Sequence, residues 1–131
     1  MNKKDLKPAS VFYYFEEICQ VPRPSKREEK IIAYLKAFGR EHGLETKTDE
    51  VGNVLIKKPA TPGKENLKTV ILQSHIDMVC EKNSDVEHDF LIDPIDTVVD
   101  GEWLKAKGTT LGADNGIGVA TELAILAATD I

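Results

Sequence analysis

The chain has 131 residues, 41% of them hydrophobic and 30% charged, with a formal net charge of −5. That length fits one domain with a core of its own, and the composition excludes a disordered chain. No apolar run approaches the roughly 20 residues that a membrane-spanning helix needs, because even the least polar stretch, residues 116–128, contains Thr121 and Glu122.

The spacing predicts a first helix from Pro8 to Gln20, with Val11, Phe12, Phe15, Ile18 and Cys19 on one face. Val21-Pro22-Arg23-Pro24 should stop it, since each proline lacks an N–H and disfavours helix in the residue before it. Ser25 and Glu28 have the spacing of a capping box, so a second helix is expected to start at Ser25. Its buried face would carry Ile31, Ile32, Leu35 and Phe38, and it should end near Gly43 in a left-handed residue. Leu44 to Asp49 and Asn53 to Lys58 read as two strands joined by a tight turn, where Gly52 can take a positive φ.

Residues 59–65 form a loop with two prolines and a glycine. Thr69-Val70-Ile71-Leu72-Gln73-Ser74 is apolar on both faces, the pattern of a central strand covered on both sides. Glu102 to Ala106 reads as a short strand with Trp103 and Lys105 on one face, and the last helix should run from Asn115 to Ala128. Strands alternating with helices give an α/β class, a mixed sheet flanked by helices.

Charge divides the chain. Residues 1–68 carry a net +4 and residues 69–131 a net −9, and seven carboxylates between Asp85 and Glu102 meet no Lys or Arg. Such a surface repels phosphate backbones, so no nucleic-acid partner is expected. The acidic stretch lacks EF-hand spacing and reads as a solvated loop. The N-terminus has lysines with no apolar stretch behind them, so no signal peptide and no membrane partner are expected. Cys19 and Cys80 are too few for a disulfide framework, and a reducing cytoplasm is the expected location.

Two stretches carry chemistry. In Ser74-His75-Ile76-Asp77-Met78, at the end of the two-sided strand, residues two apart point to one side. His75 and Asp77 would thus face a common site while Ile76 turns inward. Sites of open α/β sheets lie beyond the carboxyl ends of strands, and a histidine with a nearby carboxylate is a usual zinc arrangement. Taken alone, an H-x-D triplet also fits a surface or hydrogen-bonded histidine. The second stretch, Gly108-Thr109-Thr110-Leu111-Gly112-Ala113-Asp114-Asn115-Gly116-Ile117-Gly118, contains neither a dinucleotide-binding nor a P-loop pattern. Asp114 lies just before the last helix, where an aspartate often serves only as a cap. Other candidates have plainer readings. His42 suits a helix C-terminus, His88 is expected to be solvent-exposed, Cys80 to be a buried or inert thiol, and Arg23, which could reach substrate, is given no role.

Together, Gln73-Ser74-His75-Ile76-Asp77-Met78-Val79-Cys80-Glu81-Lys82-Asn83 and Gly108-Thr109-Thr110-Leu111-Gly112-Ala113-Asp114-Asn115-Gly116 closely resemble the aminoacyl-histidine dipeptidases. These are Xaa-His or carnosine-type enzymes of the M20 metallopeptidase group. The resemblance extends to Ile18-Cys19-Gln20-Val21-Pro22-Arg23-Pro24-Ser25, Gly52-Asn53-Val54-Leu55-Ile56 and Trp103-Leu104-Lys105-Ala106. It implies that His75 is a ligand of one zinc, that Asp114 bridges two zinc ions, and that Asp77 orients His75 as part of the catalytic apparatus. It implies a dipeptide substrate cleaved by a metal-bridging hydroxide, with cobalt or manganese as alternatives to zinc.

The family's Glu-Glu pair, a further carboxylate ligand, a C-terminal histidine ligand and an inserted lid domain, which often mediates dimerisation, do not occur within these 131 residues. Residues 1–131 are therefore expected to be the N-terminal portion of the peptidase's catalytic domain, inactive alone, with a homodimer of the full-length enzyme possible through the lid domain. A non-catalytic binding or interaction domain on the same scaffold is the other functional class.

Overall fold

The computed structural model describes residues 2–131. Among these residues, three α-helices and four short strands follow in the order α1 (Ala9–Cys19), α2 (Glu29–Glu41), β1 (Glu45–Thr48), β2 (Val54–Lys57), β3 (Thr97–Asp100), β4 (Trp103–Ala106) and α3 (Ala113–Ala127). Each helix buries one stripe at helical spacing. The buried residues are Phe15, Ile18 and Cys19 on α1, Ile31, Leu35, Phe38 and Gly39 on α2, and Gly116, Val119, Ala120 and Leu123 on α3. Helix α1 packs against α3, and α2 covers the β1–β2 hairpin. Met78 and Ile95 complete the core from the intervening loops.

The hairpin forms where the sequence predicted it. Glu45 pairs with Lys57 and Thr48 with Val54, antiparallel. Asp49 closes the turn by accepting hydrogen bonds from the Val51 and Asn53 backbone N–H groups and the Asn53 side-chain amide. Helix α2 ends as expected, with Gly43 at φ 65° after its last turn. Its start differs. The helix begins at Glu29, and the Glu28 carboxylate accepts from the Lys26 N–H instead of capping. A turn from Pro24 to Arg27 precedes it, and the Ser25 hydroxyl is engaged elsewhere.

The α/β class holds as helices with small antiparallel sheets. Among the described residues, however, the strands make two separate pairs, β1–β2 and β3–β4, and not one mixed sheet. Thr69 to Ser74 joins no ladder, and Val70, Ile71 and Leu72 are 77%, 84% and 51% exposed. A strand apolar on both faces gains stability only when neighbouring strands and layers cover it, and these residues supply no such cover. Strand β3 lies inside the acidic stretch read as a solvated loop. Its signal was the β-branched run Thr97-Val98-Val99 followed by Gly101, which turns at φ 59° into β4.

Candidate metal-binding site

His75 and Asp77 lie on the segment leading into Met78. That segment is anchored by reciprocal backbone bonds, Met78 N–H to the Arg23 carbonyl at 3.0 Å and Ser25 N–H to the Met78 carbonyl at 3.3 Å. Beyond it, residues 79–83 run alongside residues 108–110. The Thr110 N–H donates to the Glu81 carbonyl, the Thr110 hydroxyl to the Val79 carbonyl, and the Asn83 N–H to the Gly108 carbonyl. This pairing carries the glycine-rich stretch back toward His75 and places Asp114 there, although 39 residues separate the two in sequence.

The three predicted site residues converge. His75 Nδ1 lies 3.1 Å from Asp77 Oδ1, and His75 Nε2 lies 3.0 Å from Asp114 Oδ1. Ile76 packs inward against the core. The Asp114 carboxylate is almost fully exposed and that of Asp77 about one-third exposed. With a carboxylate on each ring nitrogen, His75 is held above the usual histidine pKa, chiefly by Asp114 and further by Asp77, against partial desolvation. The Ser25 hydroxyl donates to Asp77 Oδ2 and holds that carboxyl below its usual range, with His75 adding to the effect.

Asp114 does not act as a helix cap. It lies inside the first turn of α3 with non-helical dihedrals and makes no capping hydrogen bond, and the residue before the helix is Gly112 at φ 73°. Its side chain is left free to face His75.

The donor set fits part of a metal site. A cation between His75 Nε2 and Asp114 would take an imidazole lone pair and a carboxylate oxygen, while Asp77 accepted the remaining N–H and fixed the tautomer. Zinc takes three or four protein ligands. No cluster of three or more His, Cys, Asp or Glu suited to a metal occurs among the described residues. Two direct donors are present, so a zinc site here would need further ligands.

Ser25 is the residue that sequence reasoning misplaced, because its capping-box spacing masked a contact made 52 residues away. The remaining candidates stay outside the site. His42 stacks on Phe38 at a 4.1 Å centroid distance and bonds that residue's carbonyl through Nδ1. Cys80 is half-buried and its thiol is raised by burial. His88 departs from the expected exposure: it packs edge-on against Phe90, and its Nε2 is buried without a partner among the described residues.

The family resemblance holds along this stretch. The chain is 53% identical over 122 residues to the cytosol non-specific dipeptidase of Escherichia coli, covering 93% of this chain and 25% of that protein. The crystal structure of aminoacylhistidine dipeptidase from Vibrio alginolyticus superposes with a TM-score of 0.96 at 53% identity, over 100% of this chain and 27% of that one. A tripeptidase from Staphylococcus aureus shares the fold at a TM-score of 0.71 and 23% identity, over 96% of this chain and 32% of that one. No protein-family model matches. The chain thus spans about a quarter of the length of the dipeptidases it matches.

Proposed function

We propose that residues 1–131 are the N-terminal portion of the catalytic domain of a metal-dependent dipeptidase acting on Xaa-His dipeptides. The observation that carries this reading is the convergence of His75, Asp77 and Asp114 on a backbone that is 53% identical to two dipeptidases. His75 Nε2 and Asp114 would hold a divalent cation, zinc first and cobalt or manganese as alternatives, with a second ion sharing Asp114. Bound there, such ions supply an acidified water and a polarised peptide carbonyl.

The chain's own residues do the rest of what this portion contributes. Asp77 accepts a hydrogen bond from the Nδ1–H of His75 and keeps Nε2 turned toward Asp114. Ser25 holds Asp77 in place from behind. Asp114, exposed and free of helix capping, presents its carboxylate to solvent and to the substrate's approach. A general base and further ligands would come from the remainder of the protein. The name of the Escherichia coli relative supports a cytoplasmic location, and no helix among the described residues is long and apolar enough to cross a membrane. A homodimer would form through parts outside these residues.

The test is release of free histidine from β-alanyl-histidine and related dipeptides. The whole protein should turn over with metal and lose activity to a chelator. Asp114→Ala should cost more than the ~10–100-fold typical of removing a group behind a ligand. The 131 residues alone should show no useful turnover, because a positioned general base alone contributes about 10²–10⁴-fold. Full activity in Asp114→Ala, or metal-dependent turnover by the 131 residues, would sink the respective part of the reading. A whole protein that binds peptides without cleaving them would favour the binding-domain class instead.

A further inference from the structure

The geometry points to Arg23 as the positioning residue that holds the His75–Asp77 segment and the Asp114 loop in register. This rests on the reading of those three residues as a metal-binding site.

Arg23 is 2% exposed, and its guanidinium lies between the two segments. One terminal nitrogen donates to the Ile76 and Asp77 carbonyls, at 3.3 and 3.4 Å, and the other to the Gly112 carbonyl at 2.7 Å. The first pair belongs to the residues between and at the H-x-D positions, and the last lies two residues before Asp114. The pairing of residues 79–83 with 108–110 ties the segments together farther along. Nearer the site, among the described residues, Arg23 makes the only side-chain bridge from residues 76–77 to Gly112. The same loop also supplies Ser25, which bonds the Asp77 carboxylate directly.

The surroundings are shaped around this side chain. A Cβ on Gly112 would stand 2.6 Å from the Arg23 guanidinium, and one on Gly116 would stand 2.7 Å from it. Gly112 also holds φ 73°, which other residues adopt only with strain. Pro22 and Pro24 restrict the backbone on either side of Arg23. No carboxylate pairs with the guanidinium among the described residues, and its Nε is buried without a partner. Burying a guanidinium with no carboxylate in direct contact, only that of Asp77 nearby, is costly, and an apolar side chain would fill the same core space without that cost. What the guanidinium offers in addition is a planar fork that reaches carbonyls on two segments at once.

The test is carried out on the chain at one fixed pH by long-range ¹H–¹⁵N correlation of the His75 imidazole. The Asp114-dependent part of the signature is the difference between wild type and Asp114→Asn. In Arg23→Met, with folding checked by the backbone amide spectrum, that difference should collapse. In Arg23→Lys, which keeps the charge and loses the fork, it should fall by about half or more. Zinc affinity should drop in the same order, roughly tenfold or more in Arg23→Met, in line with losses on disturbing a ligand's support. A folded Arg23→Met that retains the wild-type His75 signature overturns the inference. If Arg23→Met does not fold, an unchanged signature in Arg23→Lys does so. Failure of the metal reading shows separately: zinc binding that is unaffected by His75→Ala removes the site while leaving the Arg23 result readable.

Discussion

Cys19 and Cys80 show how one residue type acquires two characters from its surroundings. Cys19 faces inward from α1 at 1% exposure, and burial pushes its thiol up to about 12 from a reference of 9.0. Thiolate is the reactive species. In native protein at pH 8, a disulfide reagent should modify Cys80 and spare Cys19, with both reacting after denaturation. Two fast native thiols would show that the α1–α3 packing is wrong. The shift has a definite sign in stability. A thiol raised on folding contributes stability that is fully present below its unfolded pKa. That contribution is lost as pH rises from about 9 toward about 12. Cys19→Ala should flatten the fall in stability across that window.

At the level of elements, the start of α2 shows two uses competing for one hydroxyl. Ser25 and Glu28 have the spacing of a reciprocal cap, yet Glu28 turns to the Lys26 N–H and Ser25 to Asp77. A double-mutant cycle separates the two uses. Ser25→Ala combined with Asp77→Ala should show a coupling of about 1.5–3 kcal/mol, the range of a hydrogen bond to a charged group. Ser25→Ala combined with Glu28→Ala should show almost none. Coupling to Glu28 that exceeds coupling to Asp77 would restore the capping box. Helix α3 gains support at its other end from a distant side chain. The Lys58 ammonium donates to the Ile125 and Ala128 carbonyls, satisfying the helix end with a residue from just beyond β2.

Across the whole molecule, the apolar run Val70-Ile71-Leu72 has the composition of a core and the exposure of a surface. Large side chains buried in a core cost about 2–5 kcal/mol when truncated, whereas surface changes usually stay within about 0.5 kcal/mol. Ile71→Lys should therefore shift the urea midpoint of the 131-residue chain only slightly, while Ile31→Ala, at a fully buried position, should cost several-fold more. Equal losses would mean that the run is covered in solution.

Local pattern was enough to determine much of this protein. Apolar spacing set the buried stripes of α1 and α2, and Asp49 to Asn53 set the hairpin turn, because helix faces and turn chemistry depend on residues only a few positions apart. The candidate site residues His75, Asp77 and Asp114 were also legible, through two motifs whose resemblance to dipeptidases holds at 53% identity. Only the tertiary structure brought His75 within 3.0 Å of Asp114, moved Ser25 from a helix cap to Asp77, and buried Arg23 between the two segments. It also left Thr69 to Ser74 without a ladder and paired β3, inside an acidic stretch, with β4. Each of these outcomes turns on partners far apart in sequence, or on strands that a segment does not itself contain. A side chain's local options are written in its neighbours along the chain, but which option it takes is set by the groups that folding brings against it.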